Sequence, residues 1–258
     1  MEQWQDQAIV LSARPHGESG AIVSLLTQHH GRHAGYVRGM RSAKNRGVYE
    51  AGNLIAAQWQ SRVSDHLGTL AGEVNVAYAS AHMSDALRLS ALQAACALCD
   101  EALPEREGHE GLFHGLLTLF DALEGEHFLA TYVMWELSLL RELGFSLDLT
   151  RCAGGGDERT LCYVSPKTGR AVSREAGAIY KDRLLALPFF LRQSQYLSEE
   201  DRLLRGQDED IKTGLDLSGY FLEHWAFAHH TRGLPEARRM FGLRFERRFA
   251  SNEAQISA

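Results

Sequence analysis

The chain has 258 residues, 45% hydrophobic and 23% charged, with a formal net charge of −6. That composition excludes a largely disordered chain and supports a core that needs no staples. Four cysteines in this length exclude a disulfide scaffold. The longest apolar run, Phe128 to Leu140, is cut by Glu136 and falls short of the ~18–20 residues of a membrane span.

The N-terminus reads Met-Glu-Gln-Trp-Gln-Asp, without the basic and apolar regions of a secretory signal, so the expected compartment is the cytoplasm. The first ~80 residues read as strands. Ala8–Leu11 is a short β-branched run closed by the turn signal Arg14-Pro15-His16-Gly17. Ala21–Thr27, His33–Gly39, Leu54–Val63 and Leu67–Val76 follow, the last interrupted by Gly68 and Gly72. Five short strands at turn-marked intervals predict a small barrel, of OB or SH3-like type.

After Val76 the texture becomes helical. Leu89, Leu92, Cys96, Cys99 and Leu103 recur at spacings of 3 and 4, one helical stripe. Glu110–Leu123 and His127–Leu143 predict two more helices, with Gly144 as a stop. Leu149–Gly177, rich in Gly and carrying Pro166, Cys152 and Cys162, predicts an irregular insert. Asp208–His230 predicts a long helix stopped by Gly233, and Pro235 opens a last one running to about Arg248, with frayed residues from Ala250 onwards. The expected division is a barrel domain over 1–78 and a helical domain over 79–258, with the insert at about 149–177.

Charge is unevenly placed. Gln28–Arg62 holds six basic residues against Glu50, and Arg232–Arg248 holds six against Glu236 and Glu246. Two basic patches on an acidic body point to a polyanion, or to two solvated faces. In the first patch Arg32, Arg38, Arg41, Lys44 and Arg46 lie in a strand that enters a basic, Gly-containing loop. Proteins that hold single strands combine such a cationic groove with aromatic platforms. Tyr36 and Tyr49 are the candidate platforms, and Trp59 reads as core. The second patch offers Arg238, Arg239, Arg244, Arg247 and Arg248.

No Walker A, GxGxxG, GxSxG or HExxH pattern occurs, which argues against an ATPase or a serine hydrolase. Cys96 and Cys99 fall on the apolar stripe and read as small core hydrophobes. His29, His30 and His33 cluster beside Gly31 and read as a polar turn, with a metal site as the rival.

His16-Gly17-Glu18-Ser19, Ile22–Thr27, Gly31-Arg32 and Val37–Arg41, then Leu139–Phe145 with Leu149–Cys152, then Tyr163–Val172, occur in one order. Together they closely resemble the RecO family of bacterial recombination mediators. The resemblance implies an N-terminal OB-fold followed by a helical domain with a zinc-knuckle insert. It implies a non-enzymatic protein, without a cofactor, that binds single- and double-stranded DNA and anneals complementary strands. It further implies that, with RecR, the protein helps load RecA onto strands coated by single-strand DNA-binding protein, whose C-terminal tail is a second contact. The expected location is then the nucleoid. Zinc-bearing relatives use two CxxC pairs; the matching places here are Cys152, Gly155, Ser173 and Ala176, so three ligands are missing and no zinc is expected. The rival readings are an RNA-binding OB module and a metal-dependent enzyme built on the histidines and cysteines.

Overall fold

The computed structural model describes residues 2–63 and 66–256. Five strands, β1 (Glu2–His16), β2 (Gly20–Thr27), β3 (Arg32–Val37), β4 (Leu54–Ser61) and β5 (Gly68–Val76), close into a barrel in the order β1-β2-β3-β5-β4. All neighbours are antiparallel except β3 and β5, which touch in parallel at only two pairs, Gly35 with Gly68 and Tyr36 with Thr69.

Burial alternates along β3 and β4, which sorts their residues between core and surface. His33, Gly35 and Val37 face inward, while Arg32, Ala34 and Tyr36 do not. Trp59 fills the interior where β3 and β5 cross, 2% exposed, and its indole N–H donates to the Ala34 carbonyl at 3.1 Å. A side chain on Gly35 would press on Leu70 and Trp59, and one on Gly68 would collide with the Trp59 indole. The glycines that look like strand breakers are thus the room for this tryptophan.

Two expectations for the barrel need correction. The first strand is not the short Ala8–Leu11 but 15 residues long. Its first half pairs with β4 and its second with β2, with a bulge between Val10 and Ser12, so one strand serves two neighbours. Pro15 sits near the end of that ladder opposite Ala21, where a missing N–H is tolerated. The basic loop after β3 is not loop throughout: Ser42 caps a short helix, α1 (Ala43–Val48), its hydroxyl accepting from Asn45 N–H at 3.2 Å.

The helical part begins with α2 (Tyr78–Ala81) and α3 (Ala86–Ala102). Asp85 caps α3 by accepting from Leu87 and Arg88 N–H. The stripe residues Leu92, Cys96, Cys99 and Leu103 are all buried, and burial pushes both thiols up, away from reactivity. Two helices follow, α4 (Glu110–Ala122) and α5 (Phe128–Glu142). Two compact units result. One comprises Met1–Asp121 with Pro235–Phe245; the other comprises Ala122–Leu234 with Glu246–Ala258. The barrel's unit therefore continues well past the change from strand to helix.

In the second unit the segment after α5 is not irregular. It holds a small sheet of β6 (Leu161–Val164), β7 (Ala171–Ser173) and β8 (Leu185–Ala186), ordered β7-β6-β8, with α6 (Arg174–Gly177) following β7. Val164 and Ala171 give this sheet a buried core. Beyond it lie α7 (Glu199–Leu204) and α8 (Asp208–Phe221). The single helix expected over Asp208–His230 ends at Phe221 and continues only as a π turn, Leu222–Ala226. Glu136 of α5 is fully buried and accepts a hydrogen bond from the Ser218 hydroxyl of α8. The last helix, α9 (Glu236–Ile256), takes in residues 250–256, where fraying is expected; residues 257 and 258 lie outside the described residues. No helix among the described residues is long and apolar enough to cross a membrane.

Candidate nucleic-acid interface

The barrel surface carries two hollows that share Arg38, Gln60 and Thr69. One, of about 810 Å³, is lined by His16, Tyr36, Arg38, Gln60, Ser61, Arg62, Leu67, Gly68 and Thr69. The other, of about 780 Å³, takes in Arg38, Lys44 and Asn45 together with the glutamines of β1 and β4, Thr69 and Glu73, and is floored by Trp4, Tyr49, Trp59 and Leu70. Arg38 stands at their junction.

Local structure holds this junction in place. The Asn45 side chain donates to the carbonyls of Arg38 at 2.9 Å and Gly39 at 3.1 Å, which fixes the turn leaving β3. Met40 N–H donates to the Ser19 carbonyl at 2.7 Å, tying that turn to the β1–β2 hairpin. Tyr36, on the outward face of β3, lies across Gly20, where any side chain would collide with its ring. The His16 ring meets Tyr36 edge-on at 6.1 Å. An aromatic platform, two guanidinium groups and an imidazole therefore line one groove. Arg38, Lys44 and Arg62 are exposed and make no ion pair among the described residues, so their charge is available to an anion.

The predicted site residues do not all meet here. Arg41 and Arg46 line a different, mostly apolar hollow of about 630 Å³ with Ala13, Pro15 and Met40. Arg32 is turned to internal work. Its Nε donates to the Leu103 carbonyl at 2.7 Å, and its guanidinium lies 3.7 Å from Asp100 and 3.5 Å from Glu105. Tyr49, expected as a stacking platform, does border the hollow of Arg38 and Lys44, but it is 4% exposed and packed into the barrel core, so it offers no open face to a base. In the second patch Arg238 is buried with its guanidinium near the Phe241 ring, and Arg244 donates to the Ala86 carbonyl at 3.0 Å; Arg239, Arg247 and Arg248 are exposed. Among the residues that line the Tyr36 groove, the sequence did not single out His16, Gln60, Arg62 and Thr69. His16 and Arg62 stand in the sequence as a turn residue and a charge; only barrel closure brings them beside Tyr36.

The histidine cluster is divided by its surroundings. The His30 ring bonds Asp6 at 2.8 Å and stacks on Trp4, which stacks in turn on Trp59. His33 is enclosed between Trp4 and Trp59. Burial lowers its pKa to about 4, with the charges of Arg106 and His30 acting in the same direction.

The knuckle positions do come together, but not as a metal site. The Ser173 hydroxyl lies 3.5 Å from Cys152 Sγ, and the Ser173 N–H donates to that sulfur at 3.3 Å. Burial raises the Cys152 thiol, and hydrogen bonds from Ser173 and the Gly154 and Gly156 backbone outweigh it, leaving the pKa below the ordinary value. One sulfur ringed by a hydroxyl and backbone donors does not fit a tetrahedral zinc. No group of three or more His, Cys, Asp or Glu among the described residues could hold a metal ion.

Residues 1–76 match the family model described as recombination protein O N terminal, and residues 83–230 match recombination protein O C terminal. A DNA repair protein RecO of Rhodospirillum centenum is 50% identical over 247 residues, 95% of each chain. One from Rhodospirillum rubrum is 46% identical over 253 residues, 96% of this chain and 98% of the relative. One from Caulobacter vibrioides is 46% identical over 237 residues, 92% and 94% of the two chains.

Proposed function

Because this chain belongs to the RecO family of DNA repair proteins, we propose that it binds DNA along the two adjoining hollows of its OB barrel and acts as a non-enzymatic recombination mediator. Arg38, Lys44 and Arg62 neutralise phosphates, and Tyr36, propped on Gly20, stacks on a base. The observation that carries this reading is the sharing of Arg38 between the groove that holds Tyr36 and Arg62 and a second groove that holds Lys44 and a row of glutamines.

The reading assigns DNA binding to the barrel domain over 1–78 and leaves the helical domain over 79–258 for partner contacts. Arg41 and Arg46, on the neighbouring hollow, add to the positive charge of the barrel without lining this groove. The step performed is annealing. Two strands repel each other through their phosphates, a cationic groove screens that repulsion, and base pairing supplies the specificity. With RecR, the protein then helps load RecA onto strands covered by single-strand DNA-binding protein, whose tail it contacts. This work is done on the nucleoid.

The test mixes complementary oligonucleotides with purified protein, with and without ATP. Annealing is expected at the same rate in both, since the chain carries no Walker A loop. A strict nucleotide requirement contradicts the proposal. A parallel competition between single-stranded DNA and RNA of one sequence separates this reading from an RNA-binding module, which would gain from the 2′-hydroxyl.

A further inference from the structure

Strands β1 and β4 run side by side with Gln3 opposite Gln60 and Gln5 opposite Gln58. The next strand continues both rungs, with Thr69 beside Gln60 and Ala71 beside Gln58. Trp4 and Trp59 alternate with these glutamines, as a period of two requires. All four glutamines are exposed, and all four line the same 780 Å³ hollow as Arg38 and Lys44. Among the described residues no hydrogen bond engages any of their side-chain amides. Glu73, on the same hollow, is its acidic member.

A side-chain amide carries two donors and two acceptor sites, and a strand holds its root rigidly. Phosphate attracts cations; it does not require four uncharged amides in two registered rungs. Base edges do match amides, which pair with adenine N6 and N7 in duplex and single strand alike, and with the Watson–Crick edges only of unpaired bases. In a duplex the Watson–Crick edges are already occupied, whereas a single strand leaves them open. We propose that the Gln3–Gln60 and Gln5–Gln58 rungs form a base-edge contact surface that makes the groove favour unpaired DNA. This rests on the proposal that the barrel binds DNA, and it assigns the preference for unpaired bases to amides, not to the cations.

The experiment compares the wild type with the Gln3→Thr/Gln5→Thr/Gln58→Thr/Gln60→Thr variant. Threonine keeps strand propensity and removes the long amide. Three probes are titrated: a mixed-sequence single strand, an abasic strand of equal length, and the duplex. The variant is expected to lose about 10-fold or more on the base-bearing strand, the size of one good amide–base pair. Its loss on the abasic strand and the duplex should be several-fold smaller, with its salt slope unchanged. If the variant melts early, the Gln3→Thr/Gln60→Thr and Gln5→Thr/Gln58→Thr pairs give the same readout one rung at a time. An unchanged affinity in a folded variant, an equal loss on the abasic strand, or equal wild-type affinity for base-bearing and abasic strands overturns the inference and leaves DNA binding intact. Failure of the wild type to bind any probe overturns the DNA-binding reading itself.

Discussion

Replacing Arg38, Lys44 and Arg62 together by alanine tests the cationic groove directly. The three side chains are exposed, and each lines at least one of the two adjoining hollows. Each phosphate they neutralise releases a counterion, and on a single strand each contact adds roughly 0.7 to the slope of log affinity against log salt. Losing three contacts flattens that slope by about 2. Between 50 and 200 mM salt the affinity gap between wild type and variant then closes by about 20-fold. Fluorescence anisotropy of a labelled single strand at four or five salt concentrations measures it. The loss should be nearly the same for any base sequence, because phosphates carry no code. The fold should survive, since exposed side chains without partners contribute within about ±0.5 kcal/mol each. The Arg41→Ala/Arg46→Ala variant is the internal control, because those residues line another hollow. A folded triple variant with the wild-type slope, or a double variant that flattens it as much, refutes the assignment of the groove.

The Tyr36 platform predicts that Gly20→Val, which pushes the ring off its seat, and Tyr36→Ala weaken single-strand binding to a similar extent, about 5- to 150-fold for one lost stack; full affinity in a folded Gly20→Val protein counts against it. Purified protein should carry no stoichiometric zinc, and chelator should leave its melting temperature unchanged, because one sulfur and a serine occupy the knuckle; about one tightly bound zinc per chain by metal analysis reverses this. His33 is held below its unfolded pKa, to about 4, so the folded state disfavours its protonated form. Its contribution to stability is therefore complete above about pH 6.5 and is lost as pH falls through 4. Denaturant unfolding between those values should show that decline in the wild type, and His33→Phe should flatten it; an identical pH profile in the variant removes the assignment.

The strand-rich start, the helical remainder and the buried cysteine stripe were legible in the sequence, because each follows from local periodicity. Short apolar runs between turn signals up to Val76 and spacings of 3 and 4 from Leu92 to Leu103 leave their mark whatever the chain packs against. The basic character of the segment after β3 was equally plain, since charge is a property of composition. Which of those charges face one groove was not. Arg38 and Arg41 are three residues apart, yet a turn pinned by Asn45 and a capped helix send them to different hollows. Tyr36 and Tyr49 are the same residue type in the same basic stretch. One lies on the outward face of a barrel strand and the other directly after a short helix, buried in the barrel core. The glycines at 35 and 68 read as interruptions until Trp59 is seen between them, because close approach across a closing barrel is a contact between distant parts of the chain. Sequence by itself determined the order of a strand-rich and a helical part, the family and the basic sign of the two patches. Only tertiary structure decided which side chains share a groove, because barrel closure joins His16, Tyr36, Arg38 and Arg62 from three separate segments.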